Sequence, residues 1–141
     1  MIVCYTGPLV AAAPSNDDDD DHHACVELLT RLRLAERQVL VPATVVAEVG
    51  YLLAREAGAA IESMFLHSLS NGDLVPVELG PDDYARLADL VDQYADSPLG
   101  TTDAAVIAIA ERLDIREIAT LDRRHFTVVR PRLGVAFTLP P

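Results

Sequence analysis

The sequence predicts an α/β fold with a mostly parallel central sheet of about four or five strands, flanked by helices on both faces. Short apolar runs alternate along the chain with segments of helical periodicity, which is the pattern of βαβ units. The chain of 141 residues is long enough to bury one hydrophobic core. We therefore expect a single domain over residues 1–141.

The expected strands are short runs of apolar and β-branched residues, namely Met1–Cys4, Gln38–Val41, Leu74–Val77, Glu117–Thr120 and, as a fifth, Val135–Leu139. The expected helices repeat apolar residues at spacings of three and four: CVELLTRLRL, ATVVAEVGYLLAREAG, AAIESMFLHSL, PDDYARLADLVDQYA and TTDAAVIAIAERL. Pro42 and Pro81 stand where helices should begin, and Gly58 and Gly72 where they should end. We expect Thr6-Gly7-Pro8 to break the first strand into a loop.

The charged residues narrow the range of functions. All 11 basic residues are arginine, which excludes a P-loop lysine and a Schiff-base lysine. The net charge of −11 disfavours general binding of nucleic acids, because affinity for them depends on neutralising phosphates. The segment 112–132 is an exception, since its arginines outnumber its acids, and the acidic remainder of the molecule suits a basic partner protein.

Compartment and processing signals point to the cytoplasm. Charged and turn-forming residues interrupt every apolar run before it reaches the length of about 20 residues that a membrane span needs, and the N-terminus lacks the pattern of a signal peptide. Cys4 and Cys25 have neither metal-site nor redox-motif spacing, so we expect both to be reduced packing residues.

One low-complexity tract runs from Asp17 to Asp21 and continues into His22 and His23. Carboxylates and imidazoles together are compatible with metal binding. The alternative is a solvated acidic loop leading into a helix, whose positive N-terminal dipole favours negative charge.

Three acidic residues stand in positions that have both a functional and a structural explanation. Glu48 borders the apolar stripe of its helix, where a carboxylate needs a cation or a partner such as Arg55. Asp103 falls in the first turn of a helix, where acids also serve as caps. Asp122 follows a strand directly, where aspartate is also an ordinary turn residue.

Taken together, these acids favour a shared site. If the strands are parallel, position 5 and Asp122 both emerge at carboxyl ends of strands, and Glu48 and Asp103 lie on helices that can line the same crevice. Clustered carboxylates repel one another unless a cation lies between them, and Mg²⁺ or Mn²⁺ prefers such oxygen ligands. The pattern therefore predicts a divalent cation.

The chain resembles PIN-domain proteins, specifically VapC-type toxins of bacterial toxin–antitoxin pairs. The resemblance spans nearly the whole chain and rests on four segments: the N-terminal IVCYTGPLVA, VPATVVAEVGYLL with Glu48, YADSPLGTTDAAVIAIAERL with Asp103, and IATLDRRHFTVVRP with Asp122. It implies an endoribonuclease that holds Mg²⁺ or Mn²⁺ through four acids and cleaves RNA with a metal-activated water. It also implies a homodimer and a VapB-type antitoxin that covers the cleft.

The sequence departs from the family at Tyr5, where the family pattern has an aspartate. A phenol is neutral at pH 7 and is a poor substitute for a metal-binding carboxylate, so we expect this chain to be inactive or severely impaired. Tyr5 marks either a naturally degenerate member or a change introduced into a toxic nuclease. Around the site, Arg123 or Arg124 either binds substrate phosphate or belongs to an exposed turn. We expect Thr6 and Asp96 to hold the metal ligands in place, with a plain loop residue as the alternative for Asp96.

Two other functions compete with the nuclease. A pure interaction module would retain antitoxin binding through apolar helices such as AAIESMFLHSL, although Met64 and Phe65 in that segment also suit the core. A haloacid-dehalogenase-like phosphatase has a similar sheet, but it needs a nucleophilic aspartate after the first strand. The YTG sequence offers none.

Overall fold

The computed structural model describes residues 1–14, 19–97, 99–129, 131–132 and 136–141. Within these ranges the strands form one parallel sheet in the order β3-β2-β1-β4. The strands are β1 (Ile2–Cys4), β2 (Val39–Pro42), β3 (Val75–Val77) and β4 (Ile118–Ala119). The predicted α/β architecture with a parallel sheet is confirmed.

Helices occupy most of the chain between the strands. In the described residues they are α1 (Thr6–Ala12), α2 (Asp20–Leu34), α3 (Ala43–Glu56), α4 (Ala59–Ser70), α5 (Pro81–Gln93), α6 (Thr101–Arg112) and α7 (Arg124–Thr127). None of them is long and apolar enough to cross a membrane, a statement that covers the described residues alone. Gly58 and Gly72 follow α3 and α4 with φ values of 94° and 88°, a backbone conformation that favours glycine.

The core lies between the sheet and its helices. All residues of β1, β2 and β4 are buried, and α6 is buried continuously over 103–110. Four residues of that stretch are alanines. Because their side chains are small, α6 packs closely against β1, β2 and α3. This packing places the first turn of α6 at the carboxyl edge of the central strands.

The register of the sheet brings several strand ends together. Ile2 pairs with Val39 on one side, and Val3 pairs with Ile118 on the other. Because all the strands are parallel, Tyr5, the start of α3 and the loop after β4 lie at one edge. Ligands of open α/β sheets bind at this edge.

Two expectations about the chain ends need correction. Thr6-Gly7-Pro8 does not form a loop, because α1 begins at Thr6 directly after β1. Proline is tolerated in a first helical turn, whose N–H groups have no partner within the helix. The fifth strand is reduced to a single parallel bridge between Glu117 and Thr138, while part of the expected range, including Val135, lies outside the described residues.

The acidic tract serves in part to start α2. Asp19 is its N-cap and accepts a hydrogen bond from the His22 N–H at 2.8 Å, and Asp20 and Asp21 lie in the first turn. The His22 imidazole bonds the Ala11 carbonyl oxygen at 2.7 Å. Asp17 and Asp18 lie outside the described residues. The described residues of this tract therefore agree with an acidic segment that leads into a helix.

Both cysteines are buried free thiols, as predicted. Burial raises the pKa of Cys4 far above its ordinary value. Burial, with Asp21 and Asp19 nearby, also raises the pKa of Cys25, to about 11. Neither thiol is therefore a reactive thiolate at neutral pH.

Candidate functional site

Tyr5 stands at the centre of the carboxyl edge, between β1 and α1. Its backbone N–H donates to the Ala119 carbonyl oxygen at 2.9 Å, which fixes the residue beside β4. Its ring is half-buried and meets the Phe126 ring edge to face, with 5.4 Å between the ring centroids. The phenol is thus anchored by both its backbone and its ring.

Three carboxylates act electrostatically on the Tyr5 hydroxyl. Burial is the main cause of a strongly raised Tyr5 pKa, followed by the hydrogen bond that the hydroxyl donates to Asp103, and then by the negative charges of Asp103, Glu48 and Asp122. The hydroxyl therefore stays protonated and neutral at physiological pH. The three acids that the sequence singled out therefore each lie near enough to Tyr5 to raise the pKa of its uncharged phenol.

Asp103 combines a structural contact with an unused oxygen. Its Oδ2 accepts the Gly100 N–H at 3.0 Å, which caps α6. Its Oδ1 is buried and has no hydrogen-bond partner, although the residue is only 6% exposed. A buried carboxylate oxygen without a partner is unfavourable in a purely structural cap.

Glu48 is half-buried in the second turn of α3. The expected alternative partner, Arg55, is engaged elsewhere. Its guanidinium donates to Glu56 at 3.0 Å and lies 5.6 Å from the centroid of the Tyr51 ring. Arg55 therefore does not neutralise Glu48. The negative charge of Glu48 helps to raise the pKa of Tyr5.

Asp122 is held by the residue two positions after it. Arg124 donates from Nε and from a terminal nitrogen to the two Asp122 oxygens at 3.0 and 2.9 Å. These bonds are the main cause of an Asp122 pKa lowered to about 2. Thr120 fixes the turn by accepting the Asp122 N–H at 3.1 Å.

His125 lies between two of the acids. Its Nδ1 is 3.8 Å from Asp103 Oδ2, and its Nε2 is 3.6 Å from Asp122 Oδ2. Only the start of α7, absent from our predicted elements, places the imidazole between the two carboxylates.

The remaining predicted site residues have different surroundings. Arg123 donates from both Nε and a terminal nitrogen to the Leu139 carbonyl oxygen and so ties the C-terminal segment to this loop. Thr6 is 4% exposed, and its hydroxyl has no hydrogen-bond partner. Asp96 lies exposed in the turn after α5.

One residue at this edge escaped the sequence analysis. Among the described residues, the buried side-chain oxygens without a hydrogen-bond partner belong to Thr6, Thr44 and Asp103. Thr44 lies in the first turn of α3, one turn before Glu48 and on the same face. That spacing of four was a visible signal, but threonine in a first helical turn is too common to be informative.

The site does not fit a directly bound metal ion as it stands. No three histidine, cysteine, aspartate or glutamate side chains within the described ranges are grouped so that they could hold one. Tyr5 offers a protonated oxygen instead of a carboxylate, and Asp122 is turned toward Arg124. At the same edge, Asp103 Oδ1 nevertheless has no hydrogen-bond partner and can still accept a hydrogen bond.

Comparison with known proteins identifies the class of protein that this fold and site define. The PIN domain family profile matches residues 3–130. The chain belongs to the PIN-domain family. Within it the chain is of the VapC type, since Ribonuclease VapC26 of Mycobacterium tuberculosis is 39% identical over 97 residues, covering 69% of this chain and 72% of that protein.

Solved structures agree with this fold. The toxin VapC20 of Mycobacterium tuberculosis, described as cleaving the sarcin–ricin loop, has a TM-score of 0.75 at 16% identity and covers 89% of this chain and 92% of its own. FitAB bound to the IR36 DNA fragment has a TM-score of 0.65 at 20% identity, with 99% and 95% covered. FitAcB from Neisseria gonorrhoeae scores 0.58 at 20% identity, with 89% and 91% covered. At these identities the likeness establishes the fold alone.

Proposed function

We propose that residues 1–141 form the endoribonuclease toxin of a toxin–antitoxin pair, and that Tyr5 leaves it inactive or severely impaired. The observation that carries this proposal is the neutral phenol held among Glu48, Asp103 and Asp122. Three acids with no other common task surround the position where VapC-type proteins are expected to have a fourth. The ribonuclease name of the 39% identical relative supports RNA as the substrate.

The cofactor that such a site would take is Mg²⁺ or Mn²⁺. Hard divalent cations bind carboxylate oxygens and relieve the repulsion within an acidic cluster. An aspartate at position 5 would supply the negative charge that Tyr5 lacks. We therefore attribute the poor fit of the present site to Tyr5 together with the pairing of Asp122 with Arg124.

Substrate phosphate would be bound by the arginine next to Asp122. The Arg124 side chain is 87% exposed, and its pairing with Asp122 is an exposed contact that costs little to exchange. If Asp122 turned inward, the Arg124 guanidinium would be free for a phosphate. Arg123 is less available, because it holds the Leu139 carbonyl oxygen.

The proposed partners follow from the same assignment. Solved FitAB and FitAcB structures and the VapC relatives support a cognate VapB-type antitoxin, and the acidic surface of this chain suits a basic partner. We further propose a homodimer that acts in the cytoplasm. A bound antitoxin would cover the carboxyl edge and so block access of RNA.

Replacing one residue tests the proposal. Tyr5→Asp should gain Mg²⁺- or Mn²⁺-dependent cleavage of RNA that EDTA abolishes, whereas the parent chain and the matched Tyr5→Phe control should show little or none. Each protein is assayed on total RNA with and without EDTA, and its fold is checked by circular dichroism. A folded Tyr5→Asp protein that cleaves nothing would contradict the nuclease assignment.

An antitoxin-binding module without catalytic activity is the second candidate. A cavity of about 180 Å³ opens beside α4, lined mainly by apolar side chains that include Ile61, Met64 and Phe65. Phe65 belongs to the core, but Met64 is 53% exposed at this cavity. If Tyr5→Asp remains inactive while Met64→Ser weakens binding to the protein encoded beside this chain, the module is favoured.

A further inference from the structure

A cavity of about 370 Å³ opens at the amino edge of the sheet, away from Tyr5. It lies between two helix-to-strand turns, the one from α2 into β2 and the one from α4 into β3. Because the strands are parallel, both turns lie at the edge where the strands begin. Sites for small molecules typically have volumes of about 300–1,000 Å³, so this cavity can hold a ligand of that class.

The lining of this cavity is apolar in its buried part and charged at its rim. Val39 is buried, and Leu29 and Leu74 are half-buried. Arg33 and Asp73 are exposed. A flat ligand with polar edges matches such a lining, because its faces can cover the apolar side chains while its edges form hydrogen bonds with the charged ones.

Arg33 and Asp73 carry opposite charges on two different walls of the cavity and do not pair. Arg33 comes from the last turn of α2, and Asp73 from the turn between α4 and β3. Among the described residues, neither of these two side chains has a hydrogen-bond or ion-pair partner. The other guanidinium of the lining, that of Arg37, is already held by Glu117 at 2.6 Å. A ligand that bridges the two walls must therefore offer acceptors to Arg33 and donors to Asp73.

Guanine meets both requirements. Its O6 and N7 atoms accept hydrogen bonds from a guanidinium, which is the commonest specific contact between arginine and a base. Its N1–H and N2–H₂ groups lie on the neighbouring edge and can donate to a carboxylate, which only accepts. Adenine has an amino group in place of O6 and lacks both donors, so it satisfies neither charged side chain fully.

We propose that this amino-edge cavity binds an unpaired guanine of RNA, with Arg33 donating to O6 and N7 and Asp73 accepting from N1–H and N2–H₂. The inference rests on the proposed function for RNA as the natural ligand, and single-stranded RNA is recognised through its exposed base edges. The net charge of −11 does not oppose this contact, because the base is recognised rather than a phosphate. The cavity thus gives the chain a base preference at the edge opposite Tyr5.

GMP is the probe for this site, with IMP and AMP as matched ligands that carry the same phosphate. IMP lacks only the N2 amino group of guanine. Titration of the folded parent chain in EDTA, followed by NMR, should show weak binding of GMP that shifts the amide signals of Val39 and Leu74. IMP should bind more weakly than GMP, and AMP more weakly still. Asp73→Asn should weaken GMP binding by about 10-fold and abolish the preference for GMP over IMP.

Asp92→Asn is the charge-matched control, because it removes an exposed carboxylate on α5 that does not line the cavity. This variant should bind GMP as the parent does. Asp73→Asn should fold normally, since that residue contributes to its turn through its backbone N–H, which donates to Asn71 Oδ1 at 3.0 Å.

Absence of GMP binding, equal binding of GMP, IMP and AMP, or an unchanged GMP preference in the Asp73→Asn variant would overturn this inference. Mononucleotides contain no phosphodiester bond to cleave. None of these results therefore affects RNA cleavage by Tyr5→Asp, so the two proposals fail separately.

Discussion

The starts of α5 and α6 are built alike, yet their aspartates differ in what surrounds them. Asp83 Oδ2 accepts the Gly80 N–H at 2.9 Å, and Asp103 Oδ2 accepts the Gly100 N–H at 3.0 Å. Both residues are buried, with 7% and 6% exposed. Asp83 Oδ1, however, lies 3.2 Å from the Arg112 Nε, whereas Asp103 Oδ1 has no partner.

This difference separates a structural carboxylate from a candidate functional one. The local motif, a glycine followed three residues later by aspartate, is the same in both helices. Along the seam between α5 and α6, acids are matched with arginines. At the carboxyl edge, Asp103 and Glu48 face a neutral phenol instead, so their charge remains available to a ligand.

The largest expected effect concerns the most buried pair of the α5–α6 seam. Glu111 binds Arg86 at 2.7 and 3.0 Å, with side chains only 7% and 12% exposed, and it also accepts the Arg132 N–H. Glu111→Gln removes the negative charge and leaves a guanidinium in a nearly buried position. We expect the free energy of unfolding to fall by about 3 kcal/mol in urea titrations.

The same pair predicts a pH dependence. Burial alone would raise the Glu111 pKa, but the Arg86 and Arg132 hydrogen bonds outweigh it and lower the pKa below 4.5. The contribution of this pair to the free energy of unfolding is therefore complete above about pH 4.5. It is lost as the pH falls through the lowered pKa of Glu111. Urea titrations at several pH values should show a shallower acid dependence for the Glu111→Gln variant. An exposed pair, Arg55 with Glu56, serves as the control. Arg55→Gln should leave the stability nearly unchanged, because solvent screens this pair.

The comparison of the two aspartates is tested directly by matched variants. In the Tyr5→Asp background, Asp103→Asn should lower the RNA cleavage rate more than about 100-fold, because it removes charge from the site. Asp83→Asn should leave the rate nearly unchanged and cost about 1 kcal/mol of stability or less through loss of the partly exposed Arg112 pair. Equal losses of cleavage in both variants would mean that Asp103 is only a cap.

A smaller effect is expected on the stability of the parent site. Tyr5→Asp adds a fourth carboxylate and removes the ring contact with Phe126, which is worth about 0.5–1.5 kcal/mol. Its melting temperature in EDTA should therefore lie below that of the parent, and Mg²⁺ or Mn²⁺ should raise it by binding the folded state. A melting temperature of Tyr5→Asp that does not respond to either ion would argue against cation binding at this edge.

The smallest effect concerns the exposed acid of the site. Arg124→Gln should raise the Asp122 pKa from about 2 toward 3.8, since the Arg124 hydrogen bonds are the main cause of its lowering. The carboxyl chemical shift of Asp122, followed by NMR between about pH 1.5 and about pH 5, measures this change in pKa. Stability should hardly change, because solvent screens this pair. An unchanged Asp122 pKa would show that His125 or the turn holds the charge instead.

The sequence predicted the sheet well because strands depend on short patterns of apolar residues. The first four predicted strands recur in the structure, with their ends shifted by at most one residue. It failed at α1, where Thr6-Gly7-Pro8 reads as a breaker, because proline preferences do not distinguish a loop from a first helical turn. It also gave no account of α7, a single turn whose existence depends on Phe126 entering the core.

The arginines show where sequence reasoning ends. Arg123 and Arg124 are adjacent and identical in type, so their order in the chain gives no reason to treat them differently. In the structure Arg123 binds the backbone of Leu139, whereas Arg124 binds Asp122. The tertiary path of the C-terminal segment, which is remote in sequence, makes this choice.

By itself, the sequence determined the α/β class and the family resemblance, because both depend on residue identity and local spacing. Only the tertiary structure decided that Asp83 has an arginine and Asp103 has none, that the Thr44 hydroxyl oxygen is buried without a partner, and that His125 stands between two acids. The physical reason is that burial and partnership depend on which distant segments pack together. Identical local motifs therefore acquire different partners once the chain is folded.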